Sequence, residues 1–252
     1  PTGLCTVQPC VGPGCSARPG VPGRMNIAIY HSLPLGGAYN VLLEYANRLG
    51  QEHAVDVYWV ADPRDASRYA APRGVGNVRT WWFQPSLGAP NLIKNVLLPV
   101  DLARLRLTSR KVAQAIDTNG HDVVLVFACR YVQSPLVLQC LKTPTVYYCS
   151  EPFRFFYEPK LPPGRAGSVW RVLAFGLLAP LHHVLRAADR CSLAAASTVY
   201  THSQYTRGHV LRIYGRDTRV CPLGVDSSRF TVLDGVGKRD VVLSVGAVTW
   251  RK

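Results

Sequence analysis

Met25 to Val60 reads MNIAIYHSLPLGGAYNVLLEYANRLGQEHAVDVYWV. Asn26–His31 is a short, mostly apolar run, the pattern of a strand buried on both faces. Gly36-Gly37 follows, and then a stretch with helical spacing in which Val41, Leu42, Tyr45, Ala46 and Leu49 fall on one face. Gly50 reads as the stop of that helix, and Ala54–Val60 as a second apolar strand. At the first turn the two glycines either serve a tight bend or let the backbone, with its free amide N–H groups, approach an anion.

The alternation continues outward. Val78–Phe83 is a third strand, and Leu92–Asn119 is mostly helix with a break expected near Pro99. Asp122–Phe127 is a near-continuous apolar strand, Leu136–Leu141 a short helix and Thr145–Cys149 another strand. A long loop with four prolines, Ser150–Gly167, leads to a helix over Ser168–Ser192. Strand Thr198–Thr201, helix Ser203–Tyr214 and a brief strand Arg219–Cys221 complete the series. Continuous apolar strands alternating with helices predict a parallel sheet covered on both faces, and right-handed crossovers make it a doubly wound α/β domain. Ligands of such sheets sit beyond the carboxyl ends of the strands. The first turn is not G-x-G-x-x-G, which argues against a dinucleotide-binding enzyme.

Residues 1–24 are Pro- and Gly-rich and lack the apolar core of a signal peptide, so they read as a disordered leader. Residues 25–226 form the folded domain, 227–239 a linker, and Asp240–Val245 opens a new strand within 240–252. The chain has 252 residues, 48% of them hydrophobic, which is ample for a core. Its net charge is +14, with a pI near 9.7, which favours anionic partners. The arginines are dispersed and no nucleic-acid module is found, so no nucleic-acid partner is expected. No stretch of about 18 charge-free apolar residues occurs. Val169–Ala188 comes closest, and Arg171, His182, His183 and Arg186 interrupt it. Of the eight cysteines, Cys5, Cys10 and Cys15 lie in the leader and the rest are scattered through apolar segments. No C-x-x-C pair or zinc-like spacing occurs, so we expect no metal site and a reducing, cytoplasmic compartment.

Four separated stretches then act together. IYHSLPLGGAYNVLLEYANRL resembles the first strand–loop–helix of retaining glycosyltransferases of family 4. YYCSEPFRFFYEP (Tyr147–Pro159) resembles their acceptor-side loop, and VYTHSQYTRGHVLRIYG (Val199–Gly215) a later strand–helix. RVCPLGVDSSRF (Arg219–Phe230) is similar to their passage into a second domain, whose first strand VLSVGAVTWRK resembles. The resemblance implies a Rossmann-like N-terminal domain of the two-domain GT-B architecture. It implies retaining, metal-independent transfer of a sugar, of the hexosyl type, from a nucleotide-sugar to a glycan or lipid-linked acceptor, with no further cofactor. The family's donor-side E-x7-E element has no counterpart before Lys252, so this chain is expected to be an incomplete, inactive N-terminal part. A non-catalytic nucleotide- or acceptor-binding α/β domain is the alternative.

The same resemblance assigns candidate residues. Gly36, Gly37 and Lys252 fall where relatives bind the donor diphosphate, although Ala247 stands where the family usually has an arginine. Arg130, Ser150, Glu151, Arg154, His202 and Ser203 are cleft or acceptor candidates; many relatives have His at the place of Ser150. Ser203 is equally a natural N-cap, and Glu151 with Arg154 equally a loop ion pair. No catalytic residue is assigned. The aromatics Phe153, Phe155, Phe156 and Tyr157, with Lys160 and Arg165, suggest peripheral membrane contact or a loop packed on its own domain.

Overall fold

The computed structural model describes residues 23–64, 69, 72–86, 91–157, 179–227, 230–231 and 240–242. Residues 1–22 of the leader, Lys160, Arg165, Ala247 and Lys252 lie outside them, as do most of the linker and the second half of the expected strand Asp240–Val245, whose residues 240–242 are not in a strand. The chain divides into a compact unit of residues 1–222 and a second of 223–252. In the second, the Phe230 N–H donates to the Asp226 carbonyl at 2.9 Å.

The first unit is built on β1 (Asn26–Ser32), of which every residue but the first is buried. It pairs in parallel with β2 (Ala54–Ala61) on one side and β4 (Val123–Cys129) on the other. With β3 (Val78–Trp82), β5 (Thr145–Tyr148), β6 (Thr198–Thr201) and β7 (Arg219–Val220) the sheet has seven strands in the order β3-β2-β1-β4-β5-β6-β7. Every pairing is parallel. The order reverses between β1 and β4, the topological switch point of a doubly wound sheet.

Helix α1 (Gly37–Glu52) covers one face, its Tyr39, Leu42 and Ala46 packing with Ile27, Ile29, Val55 and Val57. The other face is covered by α2 (Asn91–Thr118), a 3-10 turn at Leu136–Gln139, α4 (Ala179–Ala195) and α5 (Gln204–Tyr214). Its core includes Tyr30, Tyr58, Val112, Ile116, Leu193 and Val210. Both faces bury continuous apolar strands, as the runs in β1 and β4 require.

Several elements differ from the sequence reading. Gly50 does not stop α1, which runs on to Glu52 and closes when the His53 N–H donates to Leu49 at 2.8 Å. A Cβ on Gly50 would lie 2.2 Å from the Gly74 carbonyl oxygen, so this glycine admits a neighbouring loop instead. α2 is continuous with Pro99 inside it, where a break was expected; the core contacts of its later turns outweigh the proline's local cost. Leu136–Leu141 forms only the 3-10 turn Leu136–Gln139. One helical turn, α3 (Arg154–Tyr157), lies inside the loop Ser150–Gly167. The expected helix Ser168–Ser192 is described from Ala179 and ends at Ala195.

Candidate functional site at the carboxyl edge of the sheet

Parallel strands all end on one edge, so the segments after β1, β2, β4, β5 and β6 gather there. After β1 the chain passes Leu33 to the exposed Gly36-Gly37. Gly36 has φ +150° and ψ −166°, a region essentially closed to residues with a Cβ. It also precedes α1 with no side-chain cap, so the first amides of that helix have no side chain competing for them. A Cβ on either glycine would meet nothing within 4 Å, so the space over the turn is open.

An aromatic bracket holds this turn. The Tyr69 hydroxyl donates to the Leu33 carbonyl at 2.8 Å. Its ring meets Tyr39 at 4.9 Å and Trp59 at 4.7 Å. Beneath, His31 stacks on Trp59 at 5.7 Å with planes 11° apart. His31 is 2% exposed and its Nδ1 has no hydrogen-bond partner. Burial pushes the imidazole down to about 3, so the ring is neutral.

The β4 end meets the β1 end directly, because the Arg130 N–H donates to the Ser32 carbonyl at 2.9 Å. Arg130 itself is exposed, its guanidinium 5.8 Å from the Tyr131 ring. After β2, the buried Asp62 accepts from Arg64 Nε at 2.9 Å, from Nη2 at 2.5 Å and from the Arg64 backbone at 3.0 Å. The Arg64 hydrogen bonds hold the Asp62 carboxyl below the usual carboxylate range, and the Arg130 charge adds to this. Asp62, Arg64 and His31 were not picked out from sequence. The signal was the tripeptide Asp62-Pro63-Arg64 directly after an apolar strand, and for His31 one polar residue inside a buried run.

The loop after β5 carries Ser150, Glu151 and Arg154, with Glu151 and Arg154 ion-paired. Gln133, at φ +46°, accepts the Cys129 N–H and the Tyr147 hydroxyl on its carbonyl, at 2.8 and 3.3 Å, while its side-chain amide donates to the Glu151 carbonyl at 3.1 Å. The Phe153 N–H donates to the Tyr214 hydroxyl at 3.3 Å, and that hydroxyl donates to Asp189 at 2.7 Å. Asp189, fully buried, also accepts the Ser134 N–H at 3.1 Å. Burial raises its carboxyl despite these bonds. Phe156 and Tyr157 lie against α4, with the Arg186 guanidinium 5.4 and 5.8 Å from their rings. The described aromatics of this loop therefore pack on their own domain.

After β6, His202 and Ser203 are half-buried. The Ser203 hydroxyl accepts the Thr206 N–H at 3.1 Å and so caps α5. His202 Nε2 is 3.5 Å from the Thr206 hydroxyl. The carboxyl edge thus gathers Gly36, Gly37, Arg130, Ser150, Glu151, Arg154, His202 and Ser203. Lys252 is outside the described residues. Among those residues no group of three or more His, Cys, Asp or Glu could hold a metal ion, and no helix is long and apolar enough to cross a membrane.

Comparison with solved structures gives a sucrose-phosphate synthase from Thermosynechococcus elongatus with a TM-score of 0.50 and 13% identity, covering 83% of this chain and 51% of that one. Anabaena HepE, crystallised with UDP and glucose, has 19% identity over 83% of this chain and 47% of its own, at a TM-score of 0.46. A UDP-forming α,α-trehalose-phosphate synthase from Burkholderia vietnamiensis has 12% identity over 81% and 49%, at 0.43. The chain thus spans about half the length of these structures. No curated protein sequence matches it significantly. The seven parallel strands and flanking helices are the Rossmann-like α/β fold of GT-B glycosyltransferases. The sequence profile of Glycosyltransferase Family 4 matches residues 35–229, well over half of the chain, and the chain belongs to that family.

Proposed function

We propose that this chain forms the acceptor-side part of a retaining glycosyltransferase. The reaction moves a sugar of the hexosyl type from a nucleotide-sugar to a glycan or lipid-linked acceptor, with no metal ion or further cofactor. One observation carries the reading: Gly36-Gly37 is exposed and uncapped at the switch point of the sheet, with Gly36 in a glycine-only conformation. As the glycosidic bond to the nucleotide breaks, negative charge grows on the leaving diphosphate. Amide N–H groups fixed beforehand at a helix N-terminus stabilise that charge without reorganising. Arg130, on the adjoining strand end, adds positive potential to the same edge, while the charge of Arg64 is balanced by Asp62. Glu151 and Arg154 supply an acceptor and a donor for hydroxyls of the incoming sugar. Lys252 would contribute a compact cation for the diphosphate. Five free thiols among the described residues fit a reducing, cytoplasmic setting.

The test is nucleoside-diphosphate release from a panel of nucleotide-sugars, with glycan or lipid-linked acceptors, for this part joined to a donor-binding domain, with and without Gly36→Val. Acceptor-dependent release, with the anomeric configuration retained by NMR, unchanged by EDTA and weakened in Gly36→Val, is expected. Release that Gly36→Val leaves untouched would overturn the role of the turn. Ligand binding without any transfer would favour the second reading, a non-catalytic nucleotide- or acceptor-binding domain, which the pairing of Glu151 with Arg154 and the capping by Ser203 leave standing.

A further inference from the structure

The positive charge of the chain is unevenly placed. Apart from Ala103, the exposed residues of α2 from Val100 to Lys111 are four cations, Arg104, Arg106, Arg110 and Lys111, and two large aliphatics. These are Val100, 53% exposed, and Leu107, 56% exposed. The one acid in the stretch, Asp101, is buried, where it accepts the Ser86 N–H at 2.8 Å and pairs with Arg104. The next, Asp117, is half-buried and accepts the Lys142 and Thr143 amides. Among the described residues none of Arg106, Arg110 and Lys111 is in a salt bridge.

Helix α4 continues this face. The 3-10 turn Leu136–Gln139 lies between α2 and α4, and Gln139 donates to the Ala188 carbonyl at 3.2 Å. From it α4 presents the half-exposed Val184, while its one acid, Asp189, is buried; Arg186 is turned to the Phe156 and Tyr157 rings and Arg190 donates to the Ile213 carbonyl at 2.7 Å, so the cations of this face are those of α2. Burial raises the Cys140 thiol at the end of that turn, and Arg110 and Arg106 both oppose the rise, which puts their guanidinium groups beside the turn. The opposite face of the sheet is different in kind: on α1, Arg48 is paired with Glu44, and Glu52 is exposed.

Surface arginines and lysines with aliphatic residues exposed between them suit a bilayer boundary. Cationic heads meet anionic lipid phosphates while their stems and the aliphatics reach the acyl margin. A nucleic-acid backbone would use the cations but gain nothing from Val100, Leu107 and Val184. We propose that the α2–α4 face docks on an anionic lipid bilayer. This goes beyond the sugar-transfer reading and does not depend on it.

The test is flotation of the chain with phosphatidylcholine vesicles with and without phosphatidylglycerol. The natural chain, R106E/R110E/K111E and the control R24E/R48E/R73E, which carries the same charge change at exposed positions away from this face, are compared. Each cation at the surface is worth about fivefold in vesicle affinity. The α2 variant should therefore lose about a hundredfold or more on phosphatidylglycerol vesicles and the control much less. The exposed-site variant V100S/L107S, whose folding is not at risk, should lose about tenfold at raised salt, where the aliphatic contribution dominates. Failure of the natural chain to float, equal loss in the control, or unchanged flotation of V100S/L107S would each overturn the proposal. Tighter retention on duplex DNA than on anionic vesicles would overturn it as well.

Discussion

Gly50→Ala should destabilise the protein although alanine is the better helix former. In an open helix the exchange gains about 1 kcal/mol. Here the new Cβ would sit 2.2 Å from the Gly74 carbonyl oxygen, inside the 3.0 Å that side-chain carbons essentially never breach. The opposing atom is backbone, and its loop is anchored on both sides. The Arg73 N–H donates to Asn47 at 2.7 Å, the Gly76 N–H to the Val55 carbonyl at 2.7 Å and the Asn77 N–H to Asp56 at 2.9 Å. Relief requires that loop to shift by about an ångström, at about 1 kcal/mol for each hydrogen bond lost and about 1–3 kcal/mol of overpacking. Clash outweighs propensity, and the net loss is about 2 kcal/mol, or about 4–8 °C in Tm for a domain of this size. Gly208→Ala on α5 is the internal contrast, because a Cβ there meets nothing within 4 Å. It should gain about 1 kcal/mol. Urea denaturation of both variants decides the matter. A Gly50→Ala midpoint equal to or above that of the natural chain would refute the contact between α1 and the Gly74 loop.

His31 is held neutral at about 3 against an ordinary 6.5, so the unfolded chain takes up a proton that the folded chain refuses. Its contribution is intact above pH 6.5 and falls as pH drops, by about 2.7 kcal/mol at pH 4.5. His31→Phe, which keeps the stacking on Trp59, should lose that much acid sensitivity when urea midpoints at pH 7 and 4.5 are compared with the natural chain. Asp189→Ala strands the buried Ser134 N–H and the Tyr214 hydroxyl, at a cost of about 2 kcal/mol; amide exchange over residues 150–157 should quicken. Gly36→Ala forces a Cβ into a glycine-only conformation, at about 1–3 kcal/mol of strain, and, on the proposed function, sugar transfer by this part joined to a donor-binding domain should fall at least about tenfold.

Much of this architecture was legible because its signals are local. β1 and β4 announce themselves as apolar runs, α1 by its Leu42–Ala46 stripe, and α5 by a serine that does cap it. What was misread depends on contacts far apart in sequence. Gly50 looked like a terminator because nothing near it in sequence shows Gly74 overhead. Pro99 looked like a break because the core contacts that keep α2 continuous lie elsewhere. The same holds for the site. The diglycine turn is a local pattern, but Asp62 and Arg64 gain meaning only once β2 and β4 end beside the same strand. His31 is hidden among the apolar residues that bury it.

Gln133 ties together two segments that the chain keeps well apart. Its strained backbone is fastened to β4 and β5, and its side chain to the carbonyl of Glu151. The corner bearing Arg130 and the loop bearing Glu151 therefore travel as a single rigid piece. A displacement of one is therefore passed to the other, and through the Arg130 N–H on the Ser32 carbonyl to the end of β1, without any helix having to move.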